Sequence, residues 1–158
     1  FYNLPKDQIK NCINDIKNKL VKQNSYNYLT KEKGVLYYDK NTKSWLIESS
    51  NKNLPKYFGD INNGLPDGHG TIQYIDGGWY NGNWANGFKD GNGIRVWDDG
   101  EKYIGDFNKD KLEGNAYWIF NNGEISIGEF KDNRPWNVKE YDSAGNIIGE
   151  YKNGKKFR

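Results

Sequence analysis

The 158-residue sequence holds one cysteine, one histidine and no methionine. Cys12 alone can close no internal disulfide and excludes a metal site built on two or more thiolates. Without a second histidine, a histidine-based metal site or a serine triad with a spare base finds little support, and no carboxylate pair stands out from the scatter of acids as a glycosidase-like couple. His69 lies inside Gly68-His69-Gly70, where a turn role is expected of it. No stretch approaches eighteen apolar residues, and Phe1-Tyr2-Asn3-Leu4-Pro5 has no signal-peptide core, so the chain as given offers neither a membrane span nor an export signal. A chain without Met implies a processed or trimmed end, which leaves both export with a removed signal and a cytoplasmic location open.

Apolar residues are also scarce. They make up 35% of the chain with a mean hydropathy of −1.03, values that by themselves point to disorder because little apolar area offsets the entropy of ordering. Aromatic residues, at 16%, point the other way: each buries on the order of 150–250 Å², so a few large rings can hold a thin structure together. The net charge of +2 hides a basic front and a slightly acidic remainder, since residues 1–50 carry nine Lys against five acids.

What is abundant is repetition. Tyr57-Phe58-Gly59, Tyr80-Asn81-Gly82 and Tyr103-Ile104-Gly105 recur every 23 residues, with weaker copies at Ser126-Ile127-Gly128 and Ile147-Ile148-Gly149. A turn-former follows each glycine five residues on (Gly64, Gly87, Asp110, Asn133, Gly154), and Gly68, Gly91 and Gly114 lie nine residues on. The runs Gly70–Gly77, Gly93–Gly100 and Ala116–Gly123 align, and each ends in Asp-Gly or Asn-Gly, the chemistry of a tight hairpin. A degraded copy starts at Gly34, with an insertion at about 49–56.

Tyr-x-Gly followed by an aromatic, a turn, Gly-x-Gly and a further strand near this period resembles the MORN repeat family over about residues 55–158, best at 57–114. The resemblance implies a mainly β fold, an elongated single-layer antiparallel sheet of successive β-hairpins. The expected layout is an N-terminal helix at 1–30 packing on or capping the sheet, a degenerate hairpin with insertion at 31–56, and the repeat array at 57–158. The repeat-bearing residues are Tyr57, Gly59, Tyr80, Gly82, Trp84, Tyr103, Gly105 and Phe107. The helix is read from the residues themselves: Pro5 fits a first turn, and Ile9, Cys12, Ile13, Ile16 and Leu20 make one apolar stripe among lysines.

Strand alternation puts Tyr80, Gly82 and Trp84 on one face, alongside ladders through Tyr38, Tyr74, Trp97, Phe120 and Tyr141 and through Ile61, Trp84, Phe107, Phe130 and Tyr151. Asp60, Asn83, Asp106, Glu129 and Glu150 then fall on the opposite, solvated face. Gly87–Gly93 opens no helix and lacks a phosphate-loop lysine, and acids and bases interleave too evenly for nucleic acid. No catalytic residue, metal or cofactor is expected.

Trp79, Tyr117, Trp136 and Trp45 are the aromatics left for a partner, with Lys89, Arg95 and Lys102 nearby to favour an anionic one. Proteins of the resembled family carry such arrays as interaction segments, so the reading is a non-catalytic scaffold for a protein partner. The alternatives are a module for anionic phospholipid, or an accessory or inhibitory (immunity-type) segment of a larger enzyme or toxin system. A homodimer through an open sheet edge is a further expectation.

Overall fold

The computed structural model describes residues 32–157. The chain divides into two units, Phe1–Thr30 and Lys31–Arg158, and the expected helix lies outside the described residues. Among those residues there is no helix. They form a single twelve-stranded antiparallel sheet.

A short hairpin comes first, β1 (Glu32–Asp39) and β2 (Ser44–Leu46). Four long hairpins follow: β3 (Lys56–Asn62) with β4 (Leu65–Gln73), β5 (Trp79–Ala85) with β6 (Phe88–Val96), β7 (Lys102–Asn108) with β8 (Lys111–Ile119), and β9 (Ile125–Lys131) with β10 (Arg134–Tyr141). The last is β11 (Ile147–Lys152) with β12 (Lys155–Phe157). From β3 onward every strand pairs with its sequence neighbours, but β1 pairs with β3 and sends β2 to its outer edge. Gly34 faces Gly59 as Gly70 faces Gly82, so β1 occupies the place of the second strand of a repeat. The segment after it folds outward, bringing Trp45 opposite Tyr38.

One row across the sheet explains the glycines. Gly59 faces Gly70, Gly70 faces Gly82, Gly82 faces Gly93, Gly93 faces Gly105, and Gly105 faces Ala116. Facing residues share a side, so this lane has almost no side chains. The rings of Tyr57 and Tyr80 lie over it, against Gly70 and Gly93, where a Cβ would collide with them. Each hydroxyl ends on a backbone carbonyl three residues on in its own strand: Tyr57 donates to Asp60 (2.7 Å), Tyr80 to Asn83 (2.8 Å) and Tyr103 to Asp106 (3.1 Å). The ladder breaks at those carbonyls, because between Gly82 and Trp84 β5 advances two residues while β6 advances four. Tyr-x-Gly is therefore a unit in which the ring needs the empty lane and the hydroxyl needs the bulge.

Glu129 is exposed as expected, but three other residues after the repeat glycine depart from the sequence expectation. Asp60, Asn83 and Asp106 are half-buried, not freely solvated. They lie against Gly68, Gly91 and Gly114, whose φ values are +120°, +97° and +70°. Asp60 Oδ2 accepts the backbone N–H of His69 at 2.9 Å, and Asp106 accepts from the Asn115 backbone and from the side chain of Asn92. They serve the bulge, whose backbone groups have lost their ladder partners. His69 thus sits within β4 at that bulge, not in a turn.

The turns are a second correction. The Asp-Gly pairs close three-residue loops, not tight two-residue turns: Gly77 N–H donates to Tyr74 at 3.2 Å and Tyr74 N–H to Gly78 at 2.9 Å, a pattern repeated at 97–101 and 120–124. The tight turns lie at the other end of the hairpins, where residue pairs 63–64, 86–87, 109–110, 132–133 and 153–154 all have positive φ. This is the two-residue hairpin geometry that matches sheet twist. Lys109 holds it at φ 46° without the tolerance of Asn or Gly. Lys109→Asn is expected to raise stability by about 0.5–1 kcal/mol in urea unfolding; an unchanged midpoint would contradict this.

Tyr57, Tyr80, Trp84, Tyr103, Phe107 and Phe130 form the core on this one side, with Leu36, Ile72, Leu112, Ala116 and Val138. Their rings meet mostly edge to face, as at Tyr80–Phe107 (4.9 Å, 76°) and Tyr103–Phe130 (5.4 Å, 82°). Desolvation, and then nearby carboxylates, pushes the hydroxyls of Tyr57 and Tyr103 far above the usual phenol range; for Tyr80 desolvation leads, followed by Tyr74 and Asp110. The sign follows directly. Above about pH 10 the unfolded tyrosines ionise while the folded ones keep their protons, so stability present below pH 10 is lost as pH rises. The expected slope is about 1.4 kcal/mol per pH unit for each such tyrosine, and Tyr80→Phe removes one of them. Unfolding free energies that stay flat between pH 10 and 11 would contradict this.

Candidate functional site

The seven residues singled out for binding divide between places. Facing pairs put Trp79, Val96 and Lys102 in one row and Ile94, Ile104, Tyr117 and Ile127 in the next, both on the side opposite the tyrosine rings. Trp79 and Tyr117 are half-buried among these aliphatic neighbours and Lys102 is exposed. Trp136 lies apart from both groups, in the irregular start of β10. Its ring covers Gly154 of the next turn, with Lys131 Nζ 4.9 Å from its centroid.

Trp45, Lys89 and Arg95 come together on the tyrosine side. Trp45 packs on the end of the core: its ring lies 5.0 Å from Tyr38, 5.9 Å from Tyr57 and 5.7 Å from Trp84. Between it and the Asn86–Gly87 turn is a groove of about 380 Å³, bounded by Tyr38, Trp45, Tyr74 and Trp84 with Lys43 and Lys89 among its lining. Lys89 Nζ is held 3.1 Å from Asp110 and donates to the Tyr74 hydroxyl at 3.3 Å. It lies 6.0 Å from the ring centre of Tyr74 and 5.9 Å from that of Tyr80. Arg95 lays its guanidinium on Tyr74, 3.9 Å from the ring centre, and its Nη1 is buried without a hydrogen-bond partner among the described residues. Beyond it Trp97 stacks on Trp118 (5.1 Å, 1°) and Trp118 on Phe120 (5.7 Å, 9°), with Trp118 Nε1 donating to Glu101 at 3.0 Å.

The sequence reading grouped Lys102 with Lys89 and Arg95, yet the signal separating them was present. Arg95 stands two residues before Trp97 and so shares its face, whereas Lys102 neighbours Tyr103 and must point the other way. Nothing in the sequence marks Lys43 or Tyr74 for binding; only the outward pairing of β2 brings Lys43 here. Among the described residues, no three His, Cys, Asp or Glu side chains gather to hold a metal ion, and no helix is long and apolar enough to cross a membrane.

An open sheet of tandem hairpins, with its core on one side and a ring-walled, cation-bearing groove at one end of that core, defines a β-hairpin repeat protein. The MORN repeat family model matches residues 57–79, 80–102 and 103–125, so this stretch is three consecutive MORN repeats. Each matched unit begins at the tyrosine whose hydroxyl reaches the bulge. MORN repeats are generally protein- or membrane-interaction modules. No curated protein matches the chain.

Proposed function

We propose that this chain is a non-catalytic binding module that holds a protein partner on the tyrosine side of its sheet. The observation that carries this is the groove at Trp45: large half-buried rings converge there on two lysines, in a recess of about 380 Å³. Aromatic side chains offer large contact area at low entropic cost, and recessed sites are where binding energy concentrates. The aliphatic rows around Trp79 and Tyr117 support a wider contact, but the groove is the anchor.

Salt separates this reading from attraction to anionic lipid. At about 0.5 M salt the screening length is only a few ångströms, so headgroup attraction through exposed lysines is lost while a ring-anchored contact survives. The expected result is retention of a protein partner by the full chain at high salt, with no sedimentation alongside phosphatidylserine vesicles at either salt level. Vesicle binding at low salt that disappears at high salt, with no protein retained, would overturn the proposal in favour of a lipid surface.

A further inference from the structure

Resting on the partner-binding reading above, we infer that the groove beside Trp45 is a socket for one aromatic or long aliphatic side chain of an acidic peptide segment, whose neighbouring carboxylates are drawn to Lys43 and Lys89. The argument starts from two breaks in the repeat, both in β6. Facing residues near the hairpin tips pair Ile61 with Pro66, Trp84 with Lys89, and Phe107 with Leu112. Pro66 and Leu112 are buried; Lys89 takes the same place with a side chain only 17% exposed. Likewise Arg95 faces Tyr80 and Tyr103 in the row that holds Ile72 and Trp118 in the neighbouring repeats. The repeats on either side supply an apolar residue at both positions, and here both are cations.

Both cations meet at Tyr74, a wall of the groove, and Lys43 stands at its lining from the opposite side. The lining itself holds two cations, Lys43 and Lys89, and one carboxylate, Asp110, already paired with Lys89, while Arg95 adds its charge from the Tyr74 ring. Lys43 and Arg95 have no ion pair among the described residues. A ring-walled recess with a surplus of positive charge complements an apolar side chain flanked by Asp or Glu. Among the described residues the socket exists once, because one wall is Trp45, brought there by the outward-folded β2. A lipid headgroup would satisfy the charge but has no flat apolar body to fill the space between the rings.

A random-peptide phage library selected on the full chain tests this, with phosphatidylserine/phosphatidylcholine vesicles as a parallel arm. The selected peptides are expected to share an aromatic or long aliphatic residue next to Asp or Glu. A synthetic member of the pool should bind at least about tenfold more weakly to Lys43→Glu and to Lys89→Met. Lys43 is exposed, and Met keeps the stem of Lys89 where Leu112 shows that an apolar side chain fits; unchanged melting temperatures establish that both variants are folded. Peptides without acids, or acidic peptides that bind both variants as tightly as the parent chain, would overturn the socket while leaving a peptide-binding module in place. Failure to select any peptide would overturn both readings. Vesicle binding weakened by Lys43→Glu, in the absence of selected peptides, would give the site to lipid.

Discussion

Gly82→Ala is expected to cost at least about 3 kcal/mol, enough to leave a protein of ordinary stability largely unfolded at moderate temperature. The added Cβ would sit 2.5 Å from the Cα of Gly93 and 2.6 Å from the carbonyl oxygen of Asn92, and backbone cannot yield as a side-chain tip can. To admit the methyl group, β5 and β6 must separate, which breaks the ladder and lifts Tyr80 from its carbonyl. Two controls isolate the cause. Gly77 has φ +95° and nothing within 4 Å of its would-be Cβ, so Gly77→Ala carries only the conformational penalty of about 1–2 kcal/mol. Gly93→Ala should fall below Gly82→Ala, because the next repeat already has Ala116 at the equivalent position. There Tyr103 still reaches its carbonyl, at 3.1 Å against 2.8 Å for Tyr80. Urea unfolding of the three variants gives the order directly, and equal costs for Gly77→Ala and Gly82→Ala would refute the lane as a steric requirement.

Trp84→Ala is expected to cost about 3–5 kcal/mol, the range for a large buried ring. Trp84 is 5% exposed and its Nε1 donates to the Gly70 carbonyl at 3.1 Å. Its ring meets Trp45, Tyr57 and Tyr80 edge to face, between 5.1 and 5.7 Å. Removing it therefore leaves a cavity shared by two repeats and an orphaned carbonyl, and it removes one wall of the groove. Phe88→Ala, at a ring 47% exposed on the groove's edge, should cost under about 1 kcal/mol. A thermal melt in which Trp84→Ala behaves like Phe88→Ala would contradict the placement of the core.

The single-sided core was legible in the sequence because Tyr80, Gly82 and Trp84 alternate and recur at fixed spacing. The turns were legible as positions but not as types. Asp76-Gly77 has the stronger hairpin composition, yet the tight turn is built at Lys109-Asp110, which lacks glycine altogether. There the strand twist and the Lys89 amide, which donates to Asp110 Oδ1 at 3.0 Å, hold the conformation that local propensity leaves unspecified. Asp60 and Asp106 looked like a solvated column because alternation assigns a face but is blind to bulges, and the bulge turns their carboxylates onto backbone N–H groups. Of the candidate site, the faces of Arg95 and Lys102 could be read from their neighbours. The groove could not, since it depends on β2 pairing outward along β1 instead of returning toward β3.

The most direct test of partner binding on the tyrosine side compares two surface variants of the full chain in a partner pull-down at about 0.1 M salt, where charge at the groove is still felt. Lys43→Glu alters the groove and Trp79→Ser alters the opposite side of the sheet. The account predicts that the partner is lost with Lys43→Glu and retained with Trp79→Ser; retention with Lys43→Glu and loss with Trp79→Ser would place binding on the aliphatic side and contradict it.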